Sequence, residues 1–510
     1  MSKTLFFGGT ILTMDKKNPY AEAIIQQDGK IIAVGKLSDL YEFMEDADIY
    51  DLRGKTLMPA FIDGHGHIAT TGLNLTKCDL SDCKSFEDIS HAIKSFHQKG
   101  ALSDTDVIHC IGYDLQNLKE KTHPTKEFLD SLGLKNPILC VHASGHVAVF
   151  NSCALSICNK QSDTGYFEED NAFELIARFI NITEESYCKA IVEAQKLYIK
   201  NGFATLQEGS RLSYEYMLWY KKLADSKKLV CDVVMYMSAD TLFSENIHSI
   251  IETFGNRVYK NRLKLGGVKV LLDGSPQAKT AWLSKPYENS GDYSGYPIMS
   301  DEKLFEIIKR ASELDLPTLA HCNGDAACEQ FISAYEKLVL QNPKAKSLRP
   351  IMIHAQTVTD SQLERMKKIG MMPSFFVGHT WYWGDTHLEN LGERAYDISP
   401  LGWAQKHNLV YSLHQDTPVT KPDMLHSVWC AATRKTKNGK QLSKEQCISI
   451  YEVLIASTYG ASYGYFEQNK KGIIKENFVC DLVILDKNPE KCDPRQIKVL
   501  STIKNGEKIY

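Results

Sequence analysis

The pattern of apolar positions changes texture twice along the chain. Through the first fifty-odd residues it comes in short β-prone runs, KTLFFGGTILTMD and AEAIIQQDGKIIAVGK, with Asp28-Gly29 as a hairpin-type turn, and ADIYDLRGKTLMPAF continues in that style. The last forty residues return to it in GIIKENFVCDLVILDKNP and QIKVLSTIKNGEKIY, with Asn505-Gly506 as a further turn. Two β-rich ends around a long middle predict one small β domain built from residues 1–58 and 466–510, because domain ends often lie close together.

The middle, residues 59–465, alternates strand-like apolar runs with amphipathic helical runs. PILCVHASG precedes NSCALSIC; FATLQEG precedes SYEYMLWYKKLADSKK; LKLGGVKVLLDG follows. LPTLAHCNGD precedes AACEQFISAYEKLVLQ, RPIMIHAQ precedes SQLERMKKIG, and MMPSFFVGH and NLVYSLHQD come last, the latter before MLHSVWCAATRK. Strand then helix, repeated, predicts an α/β fold with a parallel sheet and helical crossovers. At this length a closed (β/α)8 TIM barrel is the better reading. The doubly wound alternative lacks its Gly-rich phosphate loop after an early strand. Residues 75–135 break the alternation and read as an insertion.

Composition narrows the class. The chain has 510 residues, 43% hydrophobic and 24% charged, as a soluble globular protein has. A formal net charge of -4 gives no footprint for nucleic acid or for an anionic membrane surface. The N-terminal apolar run is too short for a signal peptide, and no stretch has the length of a membrane span, so a cytoplasmic protein is expected. Fourteen cysteines are scattered without a C-x-x-C pair. Cys153, Cys158, Cys188, Cys231 and Cys430 sit mostly among apolar neighbours, which predicts reduced, buried thiols.

In a parallel barrel the functional side chains project from the C-terminal ends of the strands. Those ends carry His65 and His67 on the first strand, His142 and His146 on the second, Glu208 on the third and Lys269 with Asp273 on the fourth. His321, His354, His379 and Asp416 follow on the fifth to eighth. The chain holds only sixteen histidines, so their gathering at strand ends is not random placement. On an extended backbone residues i and i+2 share a face, so His65-Gly66-His67 aims two imidazoles at one point, with Gly66 leaving room beside an ion. Imidazole nitrogens and a carboxylate are the ligands that Zn²⁺ and similar divalent cations accept.

The segments TLMPAFIDGHGHIATTG, HASGHVAVFNSCAL, GGVKVLLDGSPQAKTAWL, TLAHCNGDAACEQF, MIHAQTVTDSQLERMKKIG and HQDTPV together resemble the amidohydrolase superfamily, and within it the type 3 branch of YtcJ-like and N-substituted formamide deformylase-like proteins. The resemblance covers nearly the whole chain and implies a metal-dependent hydrolase: a β/α barrel with a small composite β-sandwich, acting on a non-peptide C–N bond of a small-molecule substrate. Carried over residue by residue, His65 and His67 would bind one metal, and His321 and His354 a second or the remainder of a single site. Asp416 would bind metal and handle the proton of the attacking water. Lys269 stands where many members carry a carboxylated lysine bridging two metals, with Glu208 in reserve. A bound divalent cation brings the pKa of water from about 16 towards neutrality and polarises a carbonyl. His146 matches a pocket position and would contact substrate or an oxyanion. His379 with Trp381 and Trp383 of HTWYWGD would form an apolar wall. Relatives commonly pair, which leaves a homodimer as an option.

The chain departs from the family pattern at Ala60, in GHGH for Ala-His-Val-His, and at Gln415, where a Ser commonly precedes the last Asp; Gln415 leaves the hydrogen bonding around Asp416 open. Plainer readings stand beside the catalytic ones. His65 and His67 could be turn histidines, His321 and His354 satisfied core histidines, and Asp416 a turn or cap residue before Thr417-Pro418. Lys269 could simply pair with Asp273, His142 reads as structural, and Trp381, Tyr382 and Trp383 could be packing. Deaminase and lactonase or phosphotriesterase chemistries remain on the same scaffold, as does a non-catalytic one.

Overall fold

A computed structural model of the chain describes residues 3–115, 117–143 and 147–510. It divides into two compact units, Met1–Ile68 with Gln195–Tyr510, and Ala69–Ala194.

The larger unit contains two sheets. The first is mixed and takes strands from both chain ends: Lys3–Leu12, Tyr20–Gln27, Lys30–Gly35, Asp48–Asp51 and Thr56–Pro59 with Leu482–Leu485, Val499–Lys504 and Glu507–Lys508. The two ends are joined where Thr56–Pro59 runs antiparallel to Leu482–Leu485, Met58 opposite Val483. Ile11, Leu57, Leu482 and Ile484 share one apolar cluster there. Both predicted turns adopt left-handed backbone, at Asp28 (φ 50°) and Gly29 (φ 80°) and at Asn505 (φ 51°) and Gly506 (φ 78°), as the twist of a two-residue hairpin demands.

The second sheet has eight parallel strands in chain order: Phe61–Ile62, Phe203–Leu212, Asp232–Met237, Leu263–Leu271, Thr318–Cys322, Ile351–His354, Met372–Phe375 and Ser412–Leu413. Helices follow the strands, among them Tyr214–Asp225, Asp325–Gln341, Asp360–Ile369 and Met424–Thr433. They bury the sheet, so Asp232–Met237 and Ile351–His354 have no exposed position. Local signals set the helix ends. Thr359 and Gln362 form a reciprocal capping box, and Gly370 at φ 73° stops the same helix. The sheet curls until the chain beyond its first strand meets the chain beyond its last: the His67 N–H donates to the Thr417 carbonyl at 2.8 Å.

A buried ionic group ties the C-terminal segment to this sheet. Asp232, at the start of the third strand, accepts from Lys471 at 2.5 Å and Lys504 at 2.6 Å. Lys504 also reaches Asp481 at 2.7 Å, and Lys264 pairs with Glu467 at 3.0 Å.

The strand assignment needs one correction. Ile138–His142, expected as the second barrel strand, belongs to the smaller unit. There it pairs with Ile108–Tyr113 and Val147–Phe150 in a five-stranded sheet completed by Cys78–Asp79 and Tyr166–Glu168. That unit has its own core, including Ile89, Ile93, Ile108, Leu129 and Ile138, and it outruns the insertion expected at 75–135. The missing parallel strand is Asp232–Met237. Both segments are short continuous apolar runs, which suit any strand buried on both faces; only long-range pairing decides which sheet takes each.

All fourteen cysteines are free, and ten are buried. Among the described residues no helix is long and apolar enough to cross a membrane.

Candidate metal centre

The C-terminal ends of the parallel strands converge on one cluster. His65 and His67 lie not on a regular strand but in the bend after Phe61–Ile62, yet their ring centroids are 5.0 Å apart. Lys269 projects from the fourth strand, His321 from the fifth and His354 from the end of the sixth. Asp416 follows the eighth. His354 (φ 71°) and Asp416 (φ 53°) both hold left-handed backbone, strain of a kind that gathers at functional sites.

Inside the cluster the donor atoms are close. His67 Nε2 is 3.1 Å and His65 Nε2 3.5 Å from Asp416 Oδ1, and His354 Nε2 is 3.9 Å from Asp416 Oδ2. His354 Nε2 is 3.1 Å from His321 Nδ1, and Lys269 Nζ is 3.1 Å from His65 Nε2. One ligand atom each from His65, His354 and Asp416 lie within 4.8 Å of one another.

Each imidazole uses its other nitrogen on a partner outside the cluster. His65 Nδ1 meets Gln207 Oε1 at 2.5 Å. The Gln207 amide is oriented by donating to Gly64 O (2.9 Å) and Tyr465 Oη (2.8 Å), so its oxygen faces the ring and His65 carries its proton on Nδ1. His321 Nε2 donates to Gly274 O at 3.0 Å. His354 Nδ1 lies 3.1 Å from His414 Nε2, and His414 Nδ1 lies 3.0 Å from Ser374 Oγ. His67 Nδ1 lies 3.1 Å from Ser210 Oγ. The Gln207 bond turns a bare lone pair of His65 Nε2 inward, and His321 Nδ1 and His354 Nε2 face the same region.

That donor set fits a divalent cation. Two nitrogens each about 2.0–2.1 Å from a tetrahedral ion stand about 3.3 Å apart, close to the 3.1 Å between His321 and His354.

Electrostatics agree. Burial, reinforced by the Lys269 charge, holds His65 well below the usual imidazole range and His321 down at about 4. Burial and the neighbouring His321 do the same to His354, and burial takes His414 to about 3. His67 is the exception: burial is the largest single influence and works to lower it, but the hydrogen bond and charge of Asp416 with the charge of Glu208 together outweigh burial and raise it. Burial likewise opposes ionisation of Asp416, yet the imidazoles, His67 foremost, hold it well below the carboxylate range. Burial brings Lys269 down to about 7, leaving a large neutral fraction at neutral pH.

The remaining candidates scatter. Lys269 does not pair with Asp273, whose carboxylate instead accepts three backbone N–H groups, from Asn323 (2.9 Å), Gly324 (2.7 Å) and Trp282 (3.0 Å). Glu208 is buried and bonds Tyr220 Oη and the Ser210 N–H. His379 opens a short helix beyond the seventh strand and packs on Phe376 and Trp383, each at 4.7 Å between centroids. Trp381 turns instead onto Trp429 at 5.1 Å. His142 lies in the sheet of the smaller unit, edge-on to Tyr113 and to His123; His146 lies outside the described residues. Gly66 leaves room for the chain rather than for an ion, since a Cβ there would strike the Asp63 carboxylate and the Tyr198 hydroxyl. Gln415 donates to Ser427 Oγ at 3.0 Å, away from the cluster.

Sequence reasoning passed over His414, Gln207, Ser210, Ser374 and Gly209. His414 had a signal, since His-Gln-Asp repeats the i, i+2 spacing of the histidine pair. Gly209, where a Cβ would collide with the His65 ring, and the polar outer partners had none, because each matters only through a residue distant in sequence.

A family model described as "Amidohydrolase family" matches residues 48–510. YtcJ of Bacillus subtilis (strain 168) is 24% identical, covering 100% of this chain and 99% of its own length. The N-substituted formamide deformylase of Arthrobacter pascens is 21% identical over 100% of this chain and 98% of its own. Among solved structures, an uncharacterized metal-dependent hydrolase from Pyrococcus horikoshii OT3 superposes with a TM-score of 0.81 at 27% identity, covering 97% of this chain and 99% of that one. With a family match over most of its length, the chain belongs to the amidohydrolase family.

Proposed function

We propose that this protein is a metal-dependent hydrolase that cleaves a non-peptide C–N bond, in an amide or an N-substituted formamide, with the parallel sheet closed as a (β/α)8 barrel around the site. One observation carries the reading: His65, its lone pair turned inward by Gln207, gathers with His321 and His354 beside Asp416, and His65, His354 and Asp416 offer ligand atoms within 4.8 Å of one another. His65, His67, His321, His354 and Asp416 would hold one or two divalent cations such as Zn²⁺, with Lys269, carboxylated, as a bridge. When bound, such a cation lowers the pKa of water and polarises a carbonyl oxygen.

The chain's own groups do the rest. Asp416, held ionised among the imidazoles, accepts the proton of the attacking water at a carboxylate oxygen and delivers it to the departing nitrogen. His67 Nε2 stands 3.1 Å from Oδ1, so the two groups can face one cation. His379, Trp383 and Phe376 form an apolar wall suited to a non-peptide substituent. The name of the Arthrobacter pascens relative and the metal-dependent hydrolases solved from Pyrococcus support the direction.

The test is turnover of a panel of N-substituted formamides, simple amides, lactones and aminated heterocycles. It uses enzyme as purified, stripped by chelator, and restored with Zn²⁺ or Mn²⁺. Formamide or amide hydrolysis that vanishes on stripping and returns with metal is expected. Full activity in metal-free protein, or turnover of lactones or aminated heterocycles alone, overturns the reading.

A further inference from the structure

Two histidines of the segment after the seventh strand form a pair whose ring nitrogens the reaction as described does not use. His379 is 3% exposed and His387 is fully buried. His379 Nδ1 and His387 Nε2 are 3.0 Å apart, the ring planes differ by 6°, and the centroids are 5.2 Å apart. That separation is what the N···N distance plus the two ring radii produce. The rings therefore lie end to end in nearly one plane, the alignment of a linear N–H···N hydrogen bond rather than of a face-to-face stack. Phe376, edge-on at 4.7 Å, and Trp383, tilted at 4.7 Å, clamp the His379 ring from its sides. Phe376 in turn packs 5.5 Å from His414 and 6.3 Å from His354, so His379 stands one side chain behind the metal centre.

Which ring donates follows from the far nitrogen of His387. Its Nδ1 is buried and has no hydrogen-bond partner. If His379 donated, neutral His387 would have to carry its proton on that Nδ1, as an orphaned buried N–H. If His387 donates through Nε2–H, its Nδ1 is only an unused lone pair, the cheaper defect. His379 then accepts at Nδ1 and must hold its own proton on Nε2. Among the described residues that Nε2 has no partner.

We infer that His387 is a positioning residue that fixes His379 as the Nε2–H tautomer, so that His379 offers a hydrogen-bond donor to the carbonyl oxygen of the substrate amide and to the negative charge that grows on it. The donor role rests on the hydrolase reading; the tautomer does not. A neutral imidazole held rigidly by packing and by a second buried ring is preorganised to stabilise such an oxygen, because nothing must reorient as charge develops.

Long-range ¹H–¹⁵N correlation of histidine-labelled protein, full chain and free of metal, reads the tautomer directly. His379 protonated at Nε2 in the wild type is expected, and protonation at Nδ1 overturns the inference. His387→Phe removes the donor and should release His379 into a mixture of tautomers. His387→Gln, whose side-chain amide can donate from a similar place, should restore the Nε2–H form. In metal-loaded enzyme, on whichever amide the panel finds, His387→Phe should lower kcat about ten- to a hundredfold with KM and metal content near wild type, and His387→Gln should recover most of it. Equal kcat in wild type and His387→Phe, or an unchanged tautomer in His387→Phe, also overturns it. Should the panel find no amide substrate, the hydrolase reading fails while the labelled spectra still decide the tautomer.

Discussion

Gln207 offers the sharpest test of how the cluster is prepared for a cation. It is fully buried on the second parallel strand and makes three bonds: it accepts from His65 Nδ1 and donates to Gly64 O and Tyr465 Oη. Replacing it with leucine keeps the volume and removes all three. Tyr465 Oη still donates to Asp63 O, so the groups left orphaned are the His65 Nδ1–H and the Gly64 carbonyl. At about 1–3 kcal/mol for each buried unsatisfied group, Gln207→Leu should cost about 2–6 kcal/mol of stability. The functional cost is separate. Freed of its acceptor, His65 can move its proton to Nε2 and lose the inward lone pair. Loss of an outer partner typically weakens metal binding about 10–100-fold, or about 1.4–2.7 kcal/mol. Gln207→Glu separates the two costs: a carboxylate still accepts from His65 Nδ1 but cannot replace both amide donors. Zinc affinity by competition with a chromophoric chelator, beside thermal unfolding of the metal-free proteins, gives both quantities. Both variants should unfold earlier than wild type, but only Gln207→Leu should lose zinc affinity. The reasoning is refuted if leucine binds zinc as tightly as wild type, or if glutamate weakens binding as much as leucine does.

Other outcomes follow from the charges. Asp232 is held well below the ordinary carboxylate range: burial acts to raise it, but Lys471 and Lys504 outweigh burial. A depressed folded value contributes stability that is fully present above the unfolded value of about 3.9 and is lost as pH falls towards the folded one. Urea midpoints should therefore drop as pH falls from about 5 through 4 towards 2, and Asp232→Asn should show a shallower drop there from a start at most about 3–5 kcal/mol less stable, because Lys504 is left with Asp481 and Lys471 with Glu467 as counter-charge; parallel pH profiles would contradict this. Lys269, with its amine brought to about 7 by burial, should form a carbamate with ¹³C-labelled bicarbonate more readily as pH rises through 7, since only the neutral amine reacts. The ¹³C carbamate signal should be absent in Lys269→Met, and a signal that falls with rising pH, or survives that substitution, would rule the bridge out.

Much of this protein is written locally. Residues 28–29 and 505–506 are hairpin turns because Asp-Gly and Asn-Gly tolerate left-handed backbone, and the helix at Asp360–Ile369 begins at a capping box and ends at a glycine. The alternation of apolar runs and amphipathic helices fixes a parallel α/β fold without reference to any distant contact. The histidines at 65, 67, 321 and 354 and the carboxylate at 416 were likewise legible, because side chains at the C-terminal ends of parallel strands share one rim. Tertiary pairing alone decided the rest. Whether Ile138–His142 or Asp232–Met237 joined the eight-stranded sheet could not be read from two equally apolar runs, since a strand's place depends on its neighbours' free edges. The tautomers of the cluster were equally hidden. Which nitrogen of His65 carries its proton depends on Gln207, 142 residues away, and the outer nitrogen of His354 meets His414, 60 residues away. Sequence supplies the identity of a ligand; its proton, and so its readiness to bind, is set by a partner that only folding brings within hydrogen-bonding distance.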